Sequence, residues 1–545
     1  MSPQRTAPSS TAPSSTAPSS TVMTHREVLE ALSGLLLGTL VAILATSVIS
    51  SSLPRIIRDL DGTQSSFTWV VTATLLTTTI STPIWGKLAD LVNRKLLIQL
   101  ALAISVVSSA AAGLSGSVSM LITMRAFQGI GAGGVTALGA VLIADIISPR
   151  DRGRYMGLMG SVMGLGMVGG PLLGGVITDG PGWRWNFFVG LPIAIAAIIV
   201  LQKTLHLPAL VRRAVRIDYA GALLLSAGIA GLLLWVTFAG RDFAWASWQT
   251  AAMVGGSAGA LALAVWVESR AAEPIIPLRL FRNRTLVLSV IASVAVGVAL
   301  FGTSVFLSQY MQVARDKTPT ESGLLTVPMV LGLLISSTIS GRIISSTGRY
   351  RRFMIAGAVV LTAGLALMGT IGYDTNLALV GTYMFVLGAG VGMLMQNLVL
   401  ATQNTLEQAD MGSGTATVGF FRTLGGAVGV SALGAVLGSR ITTLMLSGLA
   451  KLGIDPAALG AGTGTIPDVQ SLPVPIRTVV EASYGSAIAD LFLIAAPLGL
   501  VALVAVLFLR EVPLGTRSGV EQRRVAEAMA EPESAGAPGL VGAER

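Results

Sequence analysis

The sequence predicts an all-α integral membrane protein with fourteen transmembrane helices, and three observations predict it. The chain of 545 residues is 52% hydrophobic and 12% charged, with a mean hydropathy of +0.75, which excludes a soluble globule. Apolar stretches of about 20 residues, the length that a hydrocarbon core of roughly 30 Å demands of a helix, recur from Ala31 to Arg510. Those stretches are continuous and lack the alternation of barrel strands.

In chain order the spans are expected at 31–53, 68–88, 96–115, 121–146, 155–178, 186–204, 218–239, 250–267, 286–310, 322–345, 353–371, 378–402, 415–438 and 488–510. An even number puts both termini on one side. Of the 36 Lys and Arg residues, 25 fall in the termini and even-numbered connections, 9 in the odd-numbered ones, and Arg125 and Arg422 lie inside spans. The positive-inside rule then places both termini in the cytoplasm of an inner-membrane protein. The net charge of +9 is that topological signal, so no nucleic-acid partner is inferred from it.

Residues 1–30 and 511–545 read as disordered cytoplasmic tails. The first of them repeats TAPSS as Thr6–Ser10, Thr11–Ser15 and Thr16–Ser20, a low-complexity stretch that is either a regulatory tail or the product of an upstream start, with Met23 as the alternative to Met1. No cleavable leader is visible, since the first apolar run is of full spanning length. Cysteine is absent, and His25 and His206 fall outside the spans, so no cofactor or metal site is expected. No Gly-x4-Gly-Lys-Ser/Thr loop implies ATP.

A basic turn occurs twice: Gly86-Lys-Leu-Ala-Asp90-Leu-Val-Asn-Arg94-Lys95 after the second span, and Gly341 to Arg352, with Gly348, Arg349, Arg351 and Arg352, after the tenth. If each copy follows the second helix of a six-helix bundle, the bundles are 31–204 and 286–510, the latter with a long outer loop at 440–484. Residues 205–285 then hold an inserted helix pair, bracketed by Arg212, Arg213 and Arg216 on one side and Arg279, Arg282 and Arg284 on the other. Asn93 occupies a glycine-type position in the first turn, which a left-handed backbone would tolerate because Asn enters that region readily.

These motifs resemble those of the major facilitator superfamily, and in particular its fourteen-helix drug–proton antiporters of the EmrB/QacA type. Gly86, Leu88, Ala89, Asp90, Arg94 and Lys95 match the signature loop, with Leu91 and Asn93 departing from it. The resemblance implies that Asp90 and Arg94 form a gating latch with Asp145; the plainer reading is that Asp145 only ends its helix. Arg125, in Arg125-Ala-Phe-Gln128-Gly129, matches the arginine that the family uses, with Asp145, in proton coupling; a structural role bonding carbonyls is the alternative. Gly157, Gly166, Gly170, Pro171, Gly174 and Gly175 reproduce the antiporter spacing, or else a simple small-residue packing face. Trp69, Trp183 to Phe188 and Phe420 to Gly429 are similar to further recurring segments.

What the resemblance implies is export of small amphipathic compounds in exchange for protons, by a protein that is not an enzyme. An importer or symporter, an exporter of an endogenous lipid or metabolite, and a membrane-embedded enzyme or sensor are the alternatives. The subfamily's helix-1 Asp is missing: Leu44-Ala45-Thr46-Ser47-Val48-Ile49 stands in its segment. None of the 27 Asp and Glu lies near the middle of a span; Asp59, Asp61 and Asp490 are at the outer rim. Neutral or anionic substrates are therefore expected, in a cavity made polar by Gln128, Gln396, Asn397 and Arg422, unless those amides only join helices. Whether an oligomer or an accessory periplasmic partner is involved leaves no trace in the sequence.

Overall fold

The computed structural model describes residues 25–61, 64–205, 218–239, 243–271, 273–317, 319–454 and 473–515. The described chain is helical: α1 (His25–Asp59), α2 (Gln64–Leu91), α3 (Arg94–Gly113), α4 (Val118–Ile146), α5 (Pro149–Asp179), α6 (Gly190–Thr204), α7 (Tyr219–Phe238), α8 (Trp248–Glu268), α9 (Arg284–Gln309), α10 (Pro319–Leu325), α11 (Val327–Thr347), α12 (Arg351–Met368), α13 (Leu377–Gln403), α14 (Met411–Lys451) and α15 (Val474–Leu507). The connections supply the caps that start these helices: Ser117 accepts from Met120 N–H, Ser148 from Asp151 N–H, Asp218 from Gly221 N–H, and Asn283 from Thr285 and Leu286 N–H.

Among the described residues, 13 helices are long and apolar enough to cross a membrane. The expected span at 68–88 is helical throughout within the 28-residue α2 but is not one of them. Its hydropathy is lowered by a hydroxyl-rich run whose partners lie on α4: Thr74 Oγ1 donates to Arg125 O, Thr78 Oγ1 to Gly129 O and Ser81 Oγ to Ile130 O. Each hydroxyl that faces a neighbouring helix is thereby satisfied without water, as an apolar medium requires.

Helices α1–α6 pack among themselves, α2 and α3 on α4 and α1 on α5 and α6, while α9, α11, α12, α13, α14 and α15 form a second group. The two groups meet along two seams, α2 with α14 and α5 with α11. Helices α7 and α8 pack on each other, and α7 leans on the first seam, where Ile229 and Leu233 meet Phe420, Ala427, Leu75, Leu76 and Ile80. Lys87 Nζ, at the end of α2, pairs with Glu273 beyond α8 at 2.6 Å.

Three local expectations change. The stretch 440–484 is not one long loop: α14 continues to Lys451 and α15 begins at Val474, with residues 455–472 outside the described set. Leu449 (0% exposed) and Val480 (1%) are buried there, and a Cβ on Gly448 would lie 2.5 Å from Val479, so the two helical extensions pack on each other. Asn93 is not left-handed. At φ −60°, ψ 115° it is the N-cap of α3, its side chain accepting from Lys95 N–H, and this capping bond explains the residue better than backbone tolerance does. Of the expected tails, residues 25–30 are helical and 511–515 pack on the protein, as described below; 1–24 and 516–545, with Met23 and the TAPSS repeats, lie outside the described residues, as do His206, Arg212, Arg213 and Arg216.

Candidate functional site

The two basic turns lie at one end of the bundle, and there the charges converge. Arg94, at the start of α3, is 3% exposed; its Nη1 bonds Asp145 Oδ2 at the end of α4, its Nη2 lies 3.4 Å from Asp90 Oδ1, and its Nε donates to Ala89 O at 2.7 Å. Asp145 is fully buried (0%), which makes the charge-assisted contact with Arg94 costly to remove. Asp90 reaches the other group of helices: its carboxylate accepts from Gly412 N–H (2.7 Å), Ser413 N–H (2.9 Å) and Ser413 Oγ (2.8 Å) at the first turn of α14. That turn carries no acid of its own, so Asp90 supplies the negative charge that a helix N-terminus favours. Within this charged cluster the Asp90 bonds cross between the groups, while the Arg94–Asp145 contact stays within the first. Close backbone contact makes this possible, since a Cβ on Gly86 would sit 2.2 Å from Ala416 Cβ.

Sequence reasoning missed Gly412 and Ser413. It missed Arg152 too, which is 1% exposed and ties the α4–α5 turn together by donating to Ile147 O (3.0 Å) and Ala144 O (2.6 Å). The N–H groups of Gly412 and Ser413 leave no side-chain signal, and Asp410, which looks like the N-cap of α14 in the sequence, makes no capping bond.

The second seam, at the same end, has no ion pair among the described residues, and the charged side chain that reaches across it is Arg150, whose Nη2 lies 3.5 Å from Ser346 O. A Cβ on Gly341 of α11 would lie 2.1 Å from Gly153 O of α5, and a Cβ on Gly157 would lie 2.7 Å from Ser337 O. Ser345 Oγ accepts from Arg154 N–H (3.0 Å) and donates to Asp151 O (3.3 Å), and Ser161 and Thr338 hydroxyls meet at 3.0 Å. Farther along α5 the expected glycines turn to α1 instead: a Cβ on Gly166 would meet Ile43 at 2.8 Å and one on Gly170 would meet Ser47 Oγ at 2.0 Å, while Ser47 Oγ donates to Gly166 O. Pro171 lies inside the helix, and Gly174 O accepts from Ser52 Oγ at 3.2 Å. One spacing thus serves two interfaces, with Gly157 between the groups and Gly166 and Gly170 within one; Gly175 follows in the same helix.

Residues 511–515 cross this face as a strap. Asn404 Nδ2 donates to Val512 O and Pro513 O, Val512 N–H donates to Tyr350 Oη, and Arg150 N–H, at the start of α5, donates to Gly515 O. Burial raises the pKa of the Tyr350 hydroxyl, which keeps it neutral and able to accept this bond.

Within the helices, Arg125 (4% exposed) donates from Nη1 to Gln128 Oε1 (2.5 Å) and to Ala45 O (3.2 Å). Arg422 (9%) donates to Met395 O at 3.4 Å. Gln396 Nε2 lies 3.6 Å from Met163 Sδ across the α5–α13 contact, whereas Asn397 Nδ2 donates to Met393 O in its own helix. The structure brings Asp90, Arg94 and Asp145 together and leaves Arg125 apart. Twenty residues of continuous α4 separate Arg125 from Asp145, about 30 Å of rise, so the two are not partners in one site.

Comparison with known proteins places this geometry. The family model described as Major Facilitator Superfamily matches residues 35–430. An uncharacterised MFS-type transporter of Mycobacterium tuberculosis is 36% identical over 88% of this chain and 69% of its own length. The multidrug transporter protein MdtP of Bacillus subtilis is 33% identical over 76% of each chain. Among solved structures, the human organic anion transporter MFSD10 superposes with a TM-score of 0.57 at 15% identity, covering 86% of this chain and 99% of that one, a likeness of fold.

Proposed function

The chain belongs to the Major Facilitator Superfamily, whose members are transporters and not enzymes, and from that premise we propose that it exports small amphipathic compounds from the cytoplasm in exchange for protons, by alternating access of two helical bundles. The observation that carries the reading is α5, whose glycines hold the seam to α11 at one end and the packing on α1 at the other. A single helix that touches both bundles through backbone contacts is suited to transmit rocking of one against the other. The name of the Bacillus relative, a multidrug transporter, supports an efflux role.

In this reading α2 is the fourteenth membrane-crossing helix, the basic face is cytoplasmic as the distribution of Lys and Arg indicates, and that face is closed. Asp90, Arg94 and Asp145 are the gating latch. Proton coupling falls to the latch acids, because protonating Asp90 removes the charge that caps α14, and protonating Asp145 releases Arg94. Arg125 then belongs to the substrate path, with Gln128, Gln396, Asn397 and Arg422 as its polar lining.

Transport in everted membrane vesicles tests the direction. An acid interior is expected to drive accumulation of a fluorescent amphiphile and to be discharged by it. Accumulation driven only by the opposite gradient would make the protein a symporter and overturn the proposal.

A further inference from the structure

Three enclosed donors in the first bundle meet no acceptor: Arg152 Nη1 stands alone at the α4–α5 turn, and the other two lie together inside α4. Arg125 uses Nη1 on Gln128 and Ala45, and its Nε is enclosed without a partner. Gln128 is 0% exposed, commits its Oε1 to Arg125, and leaves its Nε2 enclosed without a partner. The two side chains touch, so the unmet donors belong to one cluster. Buried polar groups are nearly always satisfied, and a cluster of donors bearing one positive charge calls for an acceptor bearing a negative one.

The protein does not supply that acceptor. Among the described residues no carboxylate pairs with Arg125; its Nη1 meets the neutral amide of Gln128 and the backbone carbonyl of Ala45. Arg422, in the second bundle, likewise has a carbonyl and no carboxylate, so both intramembrane cations stand without counter-charge. In a low-dielectric interior this field attracts an anion and repels a cation.

We propose that Arg125 and Gln128 form the recognition site for the anionic head of the substrate, a carboxylate in the first instance, so that the compounds carried are organic monoanions. A carboxylate has two acceptor oxygens for the two free donors and one charge for the one guanidinium. The inference rests on the export reading above and names its substrate class.

The test uses the full chain in proteoliposomes with three probes sharing one dansyl-alkyl scaffold and ending in a carboxylate, its methyl ester or a trimethylammonium. Proton-gradient-driven uptake and equilibrium binding to the detergent-purified protein are both measured. The carboxylate should bind and move about ten- to a hundredfold better than the ammonium, the worth of one hydrogen bond to a charged group. Arg125→Gln should bring the carboxylate down to the ester. Ala45→Asp, which adds a carboxylate at the residue whose carbonyl meets the guanidinium and keeps the guanidinium itself, should do the same and serves if Arg125→Gln does not fold. Equal handling of the three probes, which is what donors satisfied by water alone would give, overturns the inference, as does an anion preference that survives in both variants. If no probe moves under either gradient, the export reading fails, and the binding series alone decides this one: a carboxylate preference lost in the variants upholds it, and no preference overturns it.

Discussion

The two seams that close the basic face differ in what holds them. Between α2 and α14 the contact is electrostatic, with Asp90 bonded to the first turn of α14 and braced by Arg94 and Asp145 behind it. Between α5 and α11 it is mainly steric and neutral apart from Arg150 Nη2 on Ser346 O, with Gly153 against Gly341 and serine and threonine hydroxyls on backbone and on one another. A charge can be neutralised by a proton or drawn off by a neighbouring cation, whereas a backbone crossing can only slide or part. The difference assigns the seams different work: the first is the releasable fastening and the second the surface on which the bundles pivot.

The comparison is broken most severely by Asp145→Ala. It leaves Arg94 buried with its main partner gone, and the melting temperature in detergent should fall by an amount corresponding to about 3–5 kcal/mol. A variant as stable as the parent would mean that Asp145 only ends its helix. Next comes Gly341→Val, where the new Cβ has a carbonyl oxygen 2.1 Å away. About 1–3 kcal/mol of overpacking is expected there, with slowed transport and an intact charged cluster. The smallest effect belongs to Ser345→Ala, which removes two neutral bonds at the exposed rim and should leave stability within about 0.5 kcal/mol. A loss as large as that of Asp145→Ala would give the neutral seam a fastening role too.

The charged seam was half legible in the sequence. Asp90, Arg94 and Asp145 are chemistry-bearing residues at motif spacing, and the structure joins them. Their partner across the seam is the backbone N–H of Gly412 and Ser413, 322 and 323 residues away from Asp90, and backbone donors leave no mark in a side-chain pattern. The fold was read from apolar length and charge placement. That reading came closest to failing at α2, where the hydroxyls that satisfy α4 carbonyls lower the hydropathy of a helix that packs like the others. The extensions of α14 and α15 were missed because a polar residue such as Arg440 looks like the end of a span, and the tertiary contact of Gly448 with Val479 that prolongs both helices is not visible locally. The separation of Arg125 from Asp145 was countable from helical rise alone. The enclosed, unmet donors of Arg125 and Gln128 were not, because satisfaction is a property of the packed structure.

The central claim is that the Asp90 bonds hold the basic face shut. The chain contains no cysteine, so single cysteines report without background. Ala416→Cys, at a site 1% exposed beside Gly86, and Ser337→Cys, at a site 3% exposed on the other seam, are labelled with a membrane-permeant maleimide with and without Asp90→Asn. Asp90→Asn should raise labelling at both sites about tenfold or more, the response to losing hydrogen bonds to a charged group. Labelling that stays at the parental rate at both sites would contradict the account.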